Sequence, residues 1–261
     1  MSTFNTRAIL LRRVPFGDFD LVVTLLTLTH GKIAVMAKAA KKSVKRFAGV
    51  LEPFAPIQAV CYRGKGMPML QEASVEHPLA NIRSNVNKTA YASFWTEIID
   101  IHIEEKHQQP DLYQLLLFVL NGLDDGRIPA RMWSILFITR FLNLAGLTPC
   151  LDRCVSCQSD LAPATELRFD PARGGIVCER CRSGAAGRIF LTKGTVKQLL
   201  WIEKKTLAQA TRTRFSPRGL DEALKMLETF VSFHLARIPR SLKFLKEIRL
   251  ESDVVKRRQE L

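Results

Sequence analysis

The sequence has no long apolar run and no apolar segment near its start. The run Ile135–Leu142 is interrupted by Thr139 and Arg140, whereas a membrane span needs about 18 consecutive apolar residues. The first residues, Met-Ser-Thr-Phe-Asn-Thr-Arg, lack the apolar core of a secretory signal. We therefore expect a cytoplasmic protein that does not enter a membrane.

The sequence also lacks the residue patterns that usually identify an enzyme. Its five histidines form no His-Glu-x-x-His pair, and no Gly-x-x-x-x-Gly-Lys-Ser/Thr phosphate loop is present. The neighbouring carboxylates Glu104–Glu105 and Asp124–Asp125 are expected on a helix surface or in a turn, where such pairs are usually only solvated. We therefore expect a binding protein and not an enzyme.

Acidic residues are scarce relative to basic ones. The chain has 25 Asp and Glu against 39 Lys and Arg, a formal charge of +14. Residues 1–80 contain 11 basic and five acidic side chains, and residues 189–261 contain 16 and eight, so the excess lies at both ends. This imbalance favours a polyanionic partner, either nucleic acid or a membrane surface.

Residues 1–80 consist of short apolar runs separated by turn residues, a pattern typical of β-strands. Within one run, Ile33, Val35 and Ala37 fall on the same side of a strand. Five such strands are too few for a β-sandwich and suit a small closed barrel of the OB type. The predicted strands are Arg7–Arg13, Leu21–Leu28, Lys32–Lys38, Pro56–Tyr62 and Met69–Val75.

From about Ser84 the apolar residues recur at helical spacing. The aromatic residues of this pattern, such as Trp95 and Trp133, lie on apolar faces and are assigned to a core instead of a base-stacking surface. A further helix is predicted over Thr195–Ala208, another begins at Ser216 and Pro217, and a short last helix follows Pro239.

Two Cys-x-x-Cys pairs, separated by 20 residues, are the most specific chemical signal. Their spacing matches a structural zinc site in which four thiolates hold one ion tetrahedrally and leave no position open for catalysis. Ordinary reduced thiols or a redox dithiol are the alternatives. Cys61 and Cys150 are expected to be bystanders, although Cys150 could replace a lost ligand. The predicted zinc ligands are Cys154, Cys157, Cys178 and Cys181.

These features predict an α+β multidomain protein. A five-stranded OB-fold barrel occupies residues 1–80, and a helical domain follows with an inserted zinc module. The first helical part is residues 81–150, the module is residues 151–188, and residues 189–261 are expected to pack on 81–150.

The connection after the third predicted strand is strongly basic. It contains Lys41, Lys42, Lys45 and Arg46, with Lys38 just before it. Clustered mobile cations on a barrel suit contact with phosphates. A solvated charge run that binds nothing is the alternative.

Several segments, in order along the chain, resemble the bacterial recombination mediator family RecO. The N-terminal segments are Ala8–Leu21, His30-Gly31-Lys32, Ala37–Lys41 and Phe47–Phe54, and the later ones are Leu151–Cys157 and Gly174–Cys178. The resemblance implies an OB-fold, a helical domain and a zinc module. One departure is Ala39, which stands where glycine is common in the family.

The resemblance further implies recombinational DNA repair in the bacterial cytoplasm, in association with the nucleoid. The implied activity is binding of single- and double-stranded DNA, annealing of complementary strands, and help in loading RecA onto strands coated by single-strand-binding protein. Implied partners are RecR and the acidic C-terminal tail of single-strand-binding protein, with RecA as an indirect partner. The cations expected to contact DNA are Arg12, Arg13, Lys32, Lys38, Lys41, Lys42, Lys45 and Arg46.

Two other functions stay open on the residues alone. One is a zinc-ribbon transcription or RNA-binding factor without annealing activity, which should prefer one sequence or RNA. The other is a nucleic-acid hydrolase, which needs a metal-binding carboxylate cluster that the sequence does not present.

Overall fold

The computed structural model describes residues 2–43, 46–105, 107–161, 166–181, 189–235 and 238–259, with the backbone alone for 252–259. The chain divides into two compact units, Met1–Asp125 with Pro239–Leu261, and Gly126–Ile238. The strands are β1 Ser2–Phe16, β2 Asp20–Thr27, β3 Gly31–Ala37, β4 Pro56–Arg63, β5 Met69–Val75, β6 Leu167–Asp170, β7 Gly175–Val177 and β8 Ile189–Leu191. The helices are α1 Ala80–Arg83, α2 Val86–His102, α3 Pro110–Asp125, α4 Ala130–Leu144, α5 Lys193–Lys204, α6 Leu207–Ala210, α7 Pro217–His234 and α8 Arg240–Gln259.

The first five strands form a closed barrel in the order β1-β2-β3-β5-β4, with β1 also paired to β4. Alternation along each strand builds its interior, because successive side chains point to opposite faces. Ile33, Val35 and Ala37 all lie in the barrel core, beside Leu10 and Leu25 of the neighbouring strands. The predicted five-stranded barrel and the α+β class are therefore confirmed.

The first strand is much longer than predicted. It continues to Phe16, and its pairing with β2 shifts register between Leu10 and Arg12. Such a bulge twists and bends the strand. The result is a long β1–β2 hairpin whose tip, residues 17–19, has exposed side chains.

The first unit also contains α1, α2, α3 and α8. Asn85 begins α2, because its side chain accepts a hydrogen bond from the Lys88 amide at 3.1 Å. The long helix α8 packs against α2. The sequence predicts only a short helix after Pro239, whereas α8 has 20 residues.

The second unit contains α4, α5, α6 and α7. The strands of a small sheet, β6, β7 and β8, lie between α4 and α5 along the chain. Thr206 and Gln209 form a capping box that starts α6, so the predicted helix Thr195–Ala208 is two helices. The predicted start of α7 is confirmed, since the Ser216 hydroxyl accepts a hydrogen bond from the Gly219 amide at 3.1 Å.

The four-part division predicted from the sequence, with boundaries near residues 80, 150 and 188, stays a prediction. Helices of the two predicted helical parts do contact each other within each unit, α2 with α8 and α4 with α7. In the helices that the structure describes, no stretch is both long and apolar enough to span a membrane.

Candidate metal centre and nucleic-acid interface

The four cysteines of the two Cys-x-x-Cys pairs come together in the second unit. The sulfurs of Cys154, Cys157, Cys178 and Cys181 all lie within 4.8 Å of one another. Within this group, Cys157 Sγ and Cys178 Sγ are 3.6 Å apart. Four sulfurs about 2.3 Å from a central ion in a tetrahedron would lie about 3.8 Å apart. The donor set and its spacing therefore fit one tetrahedral metal ion.

Backbone pairing holds the two cysteine turns together. The Cys150 amide donates to the Gly174 carbonyl at 2.9 Å, and the Val155 amide donates to the Ile176 carbonyl at 2.8 Å. These bonds bring the first pair and the segment before it against β7, which leads into the second pair. A side chain at Gly175 would place its Cβ 2.7 Å from the Cys150 carbonyl oxygen, so only glycine fits there.

The small sheet buries apolar side chains against a helix of the same unit. Strands β7, β6 and β8 form a three-stranded antiparallel sheet. Phe169 and Ile176 are fully buried. The Phe169 ring meets the Phe230 ring of α7 edge-on, with centroids 5.3 Å apart. The sheet therefore anchors the cysteine turns to a helix of the same unit.

Hydrogen bonds shift the pKa values of the clustered thiols in different directions. A hydrogen bond with the Ser159 hydroxyl lowers the pKa of Cys157 to about 6. The Cys181 backbone amide lowers the pKa of Cys178. The Cys157 sulfur raises the pKa of Cys181 to about 12. Neighbouring thiolates repel one another, so the full set of four is stabilised as thiolates only by a cation among them.

An arginine side chain donates hydrogen bonds beside this cluster. Arg173 joins its two halves, because Nη1 donates to the Cys181 carbonyl at 2.9 Å and to the Ser156 hydroxyl at 3.3 Å. Arg153 pairs with Asp152 at 3.2 Å. No sequence signal distinguishes Arg173, because it lies outside both Cys-x-x-Cys motifs, five residues before Cys178.

The other two cysteines, Cys150 and Cys61, are not part of the four-cysteine cluster. Cys150 Sγ faces the Asp152 carboxylate at 3.8 Å and the Arg153 carbonyl at 3.5 Å. Cys61 is part of the barrel core, where burial raises the pKa of its thiol to about 11.

A second candidate site lies at one end of the barrel, where the predicted basic connection follows β3. Lys38, Lys41, Lys42 and Arg46 are all exposed there. Ala39 adopts the left-handed conformation with φ 54°, which explains why glycine suits this position. Its amide donates to the Asp20 carboxylate at 2.7 Å and fixes the start of the connection.

The basic connection lies against the tip of the β1–β2 hairpin. Lys41 Nζ donates to the Gly17 carbonyl at 3.1 Å. Lys42 Nζ lies 3.4 Å from the centre of the Phe19 ring, a cation–π contact. We define Lys38, Lys41, Lys42 and Arg46 as the basic edge of the barrel. Its contacts are surface contacts, which are individually weak and easily exchanged for phosphate.

The other predicted DNA-contacting residues have different surroundings. Arg12 and Arg13 pair with Asp100 at 3.1 Å and with Glu52 at 3.2 Å. The Lys32 side chain is only 12% exposed, and its Nζ donates to the Asp100 carbonyl at 2.6 Å. Lys45 lies outside the described residues. The structure therefore brings four of the eight predicted cations together on the basic edge.

Two aromatic residues at the hairpin tip were missed by sequence reasoning. Phe16 is 56% exposed and Phe19 is 43% exposed. The available signal was their position around Gly17, in a turn where apolar rings have no core to enter. Exposed rings beside cations are the combination that single-stranded nucleic acids require.

Comparison with known proteins agrees with this geometry. The family described as Recombination protein O N terminal matches residues 1–79, and Recombination protein O C terminal matches residues 83–243. The chain belongs to the RecO family. The N-terminal match covers the whole barrel, so the RecO OB-fold assignment is confirmed.

RecO relatives match along nearly their full lengths. The DNA repair protein RecO of Desulfatibacillum aliphaticivorans is 44% identical, covering 95% of this chain and 98% of that protein. The DNA repair protein RecO of Desulfosudis oleivorans is 43% identical, with 95% and 99% covered. That of Geobacter metallireducens is 34% identical, also with 95% and 99% covered.

Proposed function

We propose that this RecO-family protein is a recombinational DNA repair mediator without catalytic activity. It binds single- and double-stranded DNA without strong sequence preference, anneals complementary strands, and assists RecA loading on strands coated by single-strand-binding protein. The observation that carries the proposal is the basic edge, four exposed cations on one connection of an OB-fold barrel. Family membership supports it independently.

The basic edge acts by neutralising phosphates. Two strands can approach for pairing only when their backbone charges are compensated. Lys41 and Lys42 reach solvent on flexible stems, and neither side chain is held by a carboxylate in the contacts of the described residues. Binding through such groups releases counterions and reads no base sequence, so affinity falls steeply with salt.

The metal role is structural, and the ion we propose is one Zn²⁺. Four thiolates saturate a tetrahedral zinc ion and leave no open position for water or substrate. Cys154, Cys157, Cys178 and Cys181 would hold it, and the ion would fix the two turns that β6 and β7 bring together. Freshly purified protein should contain about one zinc per chain by elemental analysis. Zinc content near zero would contradict this assignment.

The proposed partners follow from the same role. They are RecR, the acidic tail of single-strand-binding protein and, indirectly, RecA, in the bacterial cytoplasm close to the nucleoid. A net charge of +14 suits both DNA and an acidic peptide.

The test is annealing of complementary labelled strands, with and without single-strand-binding protein, by the wild type and by the variant Lys38→Ala/Lys41→Ala/Lys42→Ala. We expect the variant to anneal more slowly. Its salt slope for single-strand binding should be smaller by about 0.7 for each phosphate that the variant no longer neutralises. The matched control is Lys197→Ala/Lys204→Ala/Lys225→Ala, which removes the same charge from exposed positions of the second unit.

The outcomes separate the candidate functions. Unchanged binding by the first variant together with weaker binding by the control would move the DNA site to the basic C-terminal third. A strong preference for one sequence or for RNA, without annealing, would indicate the zinc-ribbon alternative. Strand cleavage with a divalent ion would indicate a hydrolase.

A further inference from the structure

The four residues of the cysteine cluster differ in their access to solvent. Cys154 is fully buried, Cys178 and Cys181 are half-buried, and Cys157 is exposed. Oxidation of cysteine follows thiolate character and exposure. Cys157 is therefore the member of the cluster that a small oxidant dissolved in water reaches first.

The exposed cysteine faces a sulfur of the other Cys-x-x-Cys pair. Cys157 Sγ and Cys178 Sγ are 3.6 Å apart, whereas the sulfurs of a disulfide are about 2.05 Å apart. Closing this gap takes a movement of about 1.6 Å, which side-chain rotation can supply. A sulfur that is oxidised first, beside a second sulfur that can resolve it, is the arrangement that favours reversible oxidation.

Backbone hydrogen bonds shape both cysteine turns and do not involve the sulfurs. In the first turn the Gln158 amide donates to the Cys154 carbonyl at 2.9 Å, and in the second the Cys181 amide donates to the Cys178 carbonyl at 3.2 Å. The Arg173 guanidinium joins the two turns to each other. These contacts keep the two facing sulfurs adjacent whatever the sulfurs themselves bind.

We propose that Cys157 and Cys178 form a reversible oxidation site for a hydroperoxide, and that a disulfide between them replaces the metal ion as the link between the two turns. This inference rests on the proposed metal role and goes beyond it. It makes the cluster responsive to oxidants as well as structural.

The reaction with hydrogen peroxide has two steps. The Cys157 thiolate attacks one peroxide oxygen, so an S–O bond forms, the O–O bond breaks, and the departing hydroxide takes a proton to become water. The Cys178 thiolate then attacks the Cys157 sulfur of this sulfenic acid. An S–S bond forms, the S–O bond breaks, and the second hydroxide also becomes water. The two sulfurs are oxidised, and the two peroxide oxygens are reduced.

Formation of this disulfide removes half of the donor set. A disulfide sulfur carries no charge, so Cys154 and Cys181 alone would remain as thiolates, and a structural zinc ion needs four donors. The new bond closes the loop of residues 158–177 and keeps the turns joined. Because thiols are kept reduced in a cytoplasm, the disulfide there is transient, and its reduction restores the site.

The test treats metal-loaded protein with hydrogen peroxide and follows thiols and metal together. Thiols counted in denaturant should fall by two from the six of the chain, and about one zinc ion per chain should be released to a colorimetric chelator. Peptide mapping by mass spectrometry should find a cross-link between Cys157 and Cys178. A dithiol reductant with added zinc should restore both thiols and the bound ion. Unchanged thiols, or a cross-link within either Cys-x-x-Cys pair instead, would overturn the inference.

Two matched variants test which sulfur reacts first. Cys157→His and Cys181→His each leave three thiolates and one imidazole, a donor set that also holds zinc. Cys157→His should release metal to peroxide more slowly than wild type, whereas Cys181→His should still form the cross-link. Equal release rates in the two variants would contradict the assignment. If either variant does not retain metal, the cross-link map of the wild type decides. Cys150→Ser, which removes a thiol outside the cluster, should react as wild type does.

Limited proteolysis distinguishes oxidation from metal loss alone. Peroxide-treated protein should resist cleavage between residues 150 and 181 better than chelated protein, because the disulfide holds the two turns together. Equal cleavage of the two samples would show that the disulfide does not replace the ion.

The outcomes separate this inference from the proposed metal role. Zinc in the untreated protein, with no cross-link after peroxide, leaves the metal role standing and shows the inference to be wrong. Untreated protein without zinc contradicts the metal role itself and, with it, the exchange of ion for disulfide.

Discussion

Lysine side chains of this barrel have two different roles, structural and solvent-facing, and the sequence alone does not show which role Lys32 has. Lys32 lies in the same basic N-terminal region as Lys41 and Lys42. Its ammonium donates to the Asp100 backbone carbonyl at 2.6 Å and lies 3.6 Å from the Asp100 carboxylate. It therefore joins β3 to the end of α2, whereas the basic edge faces solvent.

Lys32→Ala should destabilise the protein and leave the electrostatics of DNA binding almost intact. Loss of a hydrogen bond from a charged, largely buried group costs roughly 1–3 kcal/mol of the free energy of unfolding. We expect that loss in urea unfolding, together with a salt slope for DNA binding equal to that of the wild type. Lys41→Ala is the matched control and should show the reverse pattern. A reduced salt slope for Lys32→Ala with unchanged stability would return Lys32 to the DNA site.

Glu222 is a second side chain whose role depends on its partners. Burial alone would raise its pKa, but hydrogen bonds from the Thr192 amide and hydroxyl, the Thr195 hydroxyl and Arg218 outweigh burial and lower it. The Thr195 hydroxyl donates at 2.7 Å and the Thr192 amide at 2.8 Å. Glu222 thereby ties α7 to the start of α5.

A lowered pKa in the folded state has a definite pH signature. The folded protein holds the Glu222 carboxylate more strongly than the unfolded chain does, so this stability is complete above the unfolded pKa of about 4.3 and is lost as pH falls through the folded pKa. Glu222→Gln should cost roughly 1–3 kcal/mol at pH 7. The difference from wild type should shrink below about pH 4.3. Urea unfolding of both proteins across this range gives the difference, and one that is constant with pH would contradict the assignment.

Elements set by local pattern were predicted well, and elements set by packing were not. The alternation of Ile33, Val35 and Ala37 and the paired cysteines are visible in sequence, because each depends on neighbours a few residues away. The length of α8 is not visible, since much of its support comes from α2. Arg249 of α8 donates to the Tyr91 hydroxyl at 2.9 Å.

The first amides of helix α8 donate hydrogen bonds to a carboxylate of another helix. Glu97 of α2 accepts hydrogen bonds from the Arg240 amide at 3.1 Å, from the Ser241 amide at 2.8 Å and from the Ser241 hydroxyl. A carboxylate at a helix N-terminus accepts hydrogen bonds from amides that have no partner within the helix. Its negative charge also interacts favourably with the positive end of the helix dipole. This cap is tertiary, and the residues around Pro239 do not reveal it.

Glu97→Gln should loosen α8 before it affects the barrel. We expect a loss of about 0.5–2 kcal/mol, typical of a helix cap, with faster amide hydrogen exchange in Arg240–Gln259 and unchanged exchange in β1–β5. Glu104→Gln, at an exposed position after α2, is the control and should leave exchange in α8 as in wild type. Uniformly faster exchange in helix and barrel would mean that α8 is not separately held by Glu97.

The two units separate the metal from the proposed DNA contacts. All four candidate ligands belong to Gly126–Ile238, and the basic edge belongs to Met1–Asp125. A metal ion restricts directly only the chain segments that supply its ligands. Phe169 and Ile176 give the cysteine sheet some apolar packing, so metal removal should loosen the turns around Cys154–Cys181 first.

Metal removal should therefore damage structure more than DNA affinity. We expect chelation of the purified protein to increase proteolysis and hydrogen exchange between residues 150 and 181, while single-strand affinity stays within about threefold, a smaller effect than removal of one base-stacking aromatic ring. Cys154→Ser/Cys178→Ser should reproduce this result, and Cys150→Ser, which removes a thiol outside the cluster, should behave as wild type. Loss of all DNA binding on chelation would instead place the DNA site in the unit that holds the cysteines, and unchanged proteolysis would show that the four sulfurs need no ion.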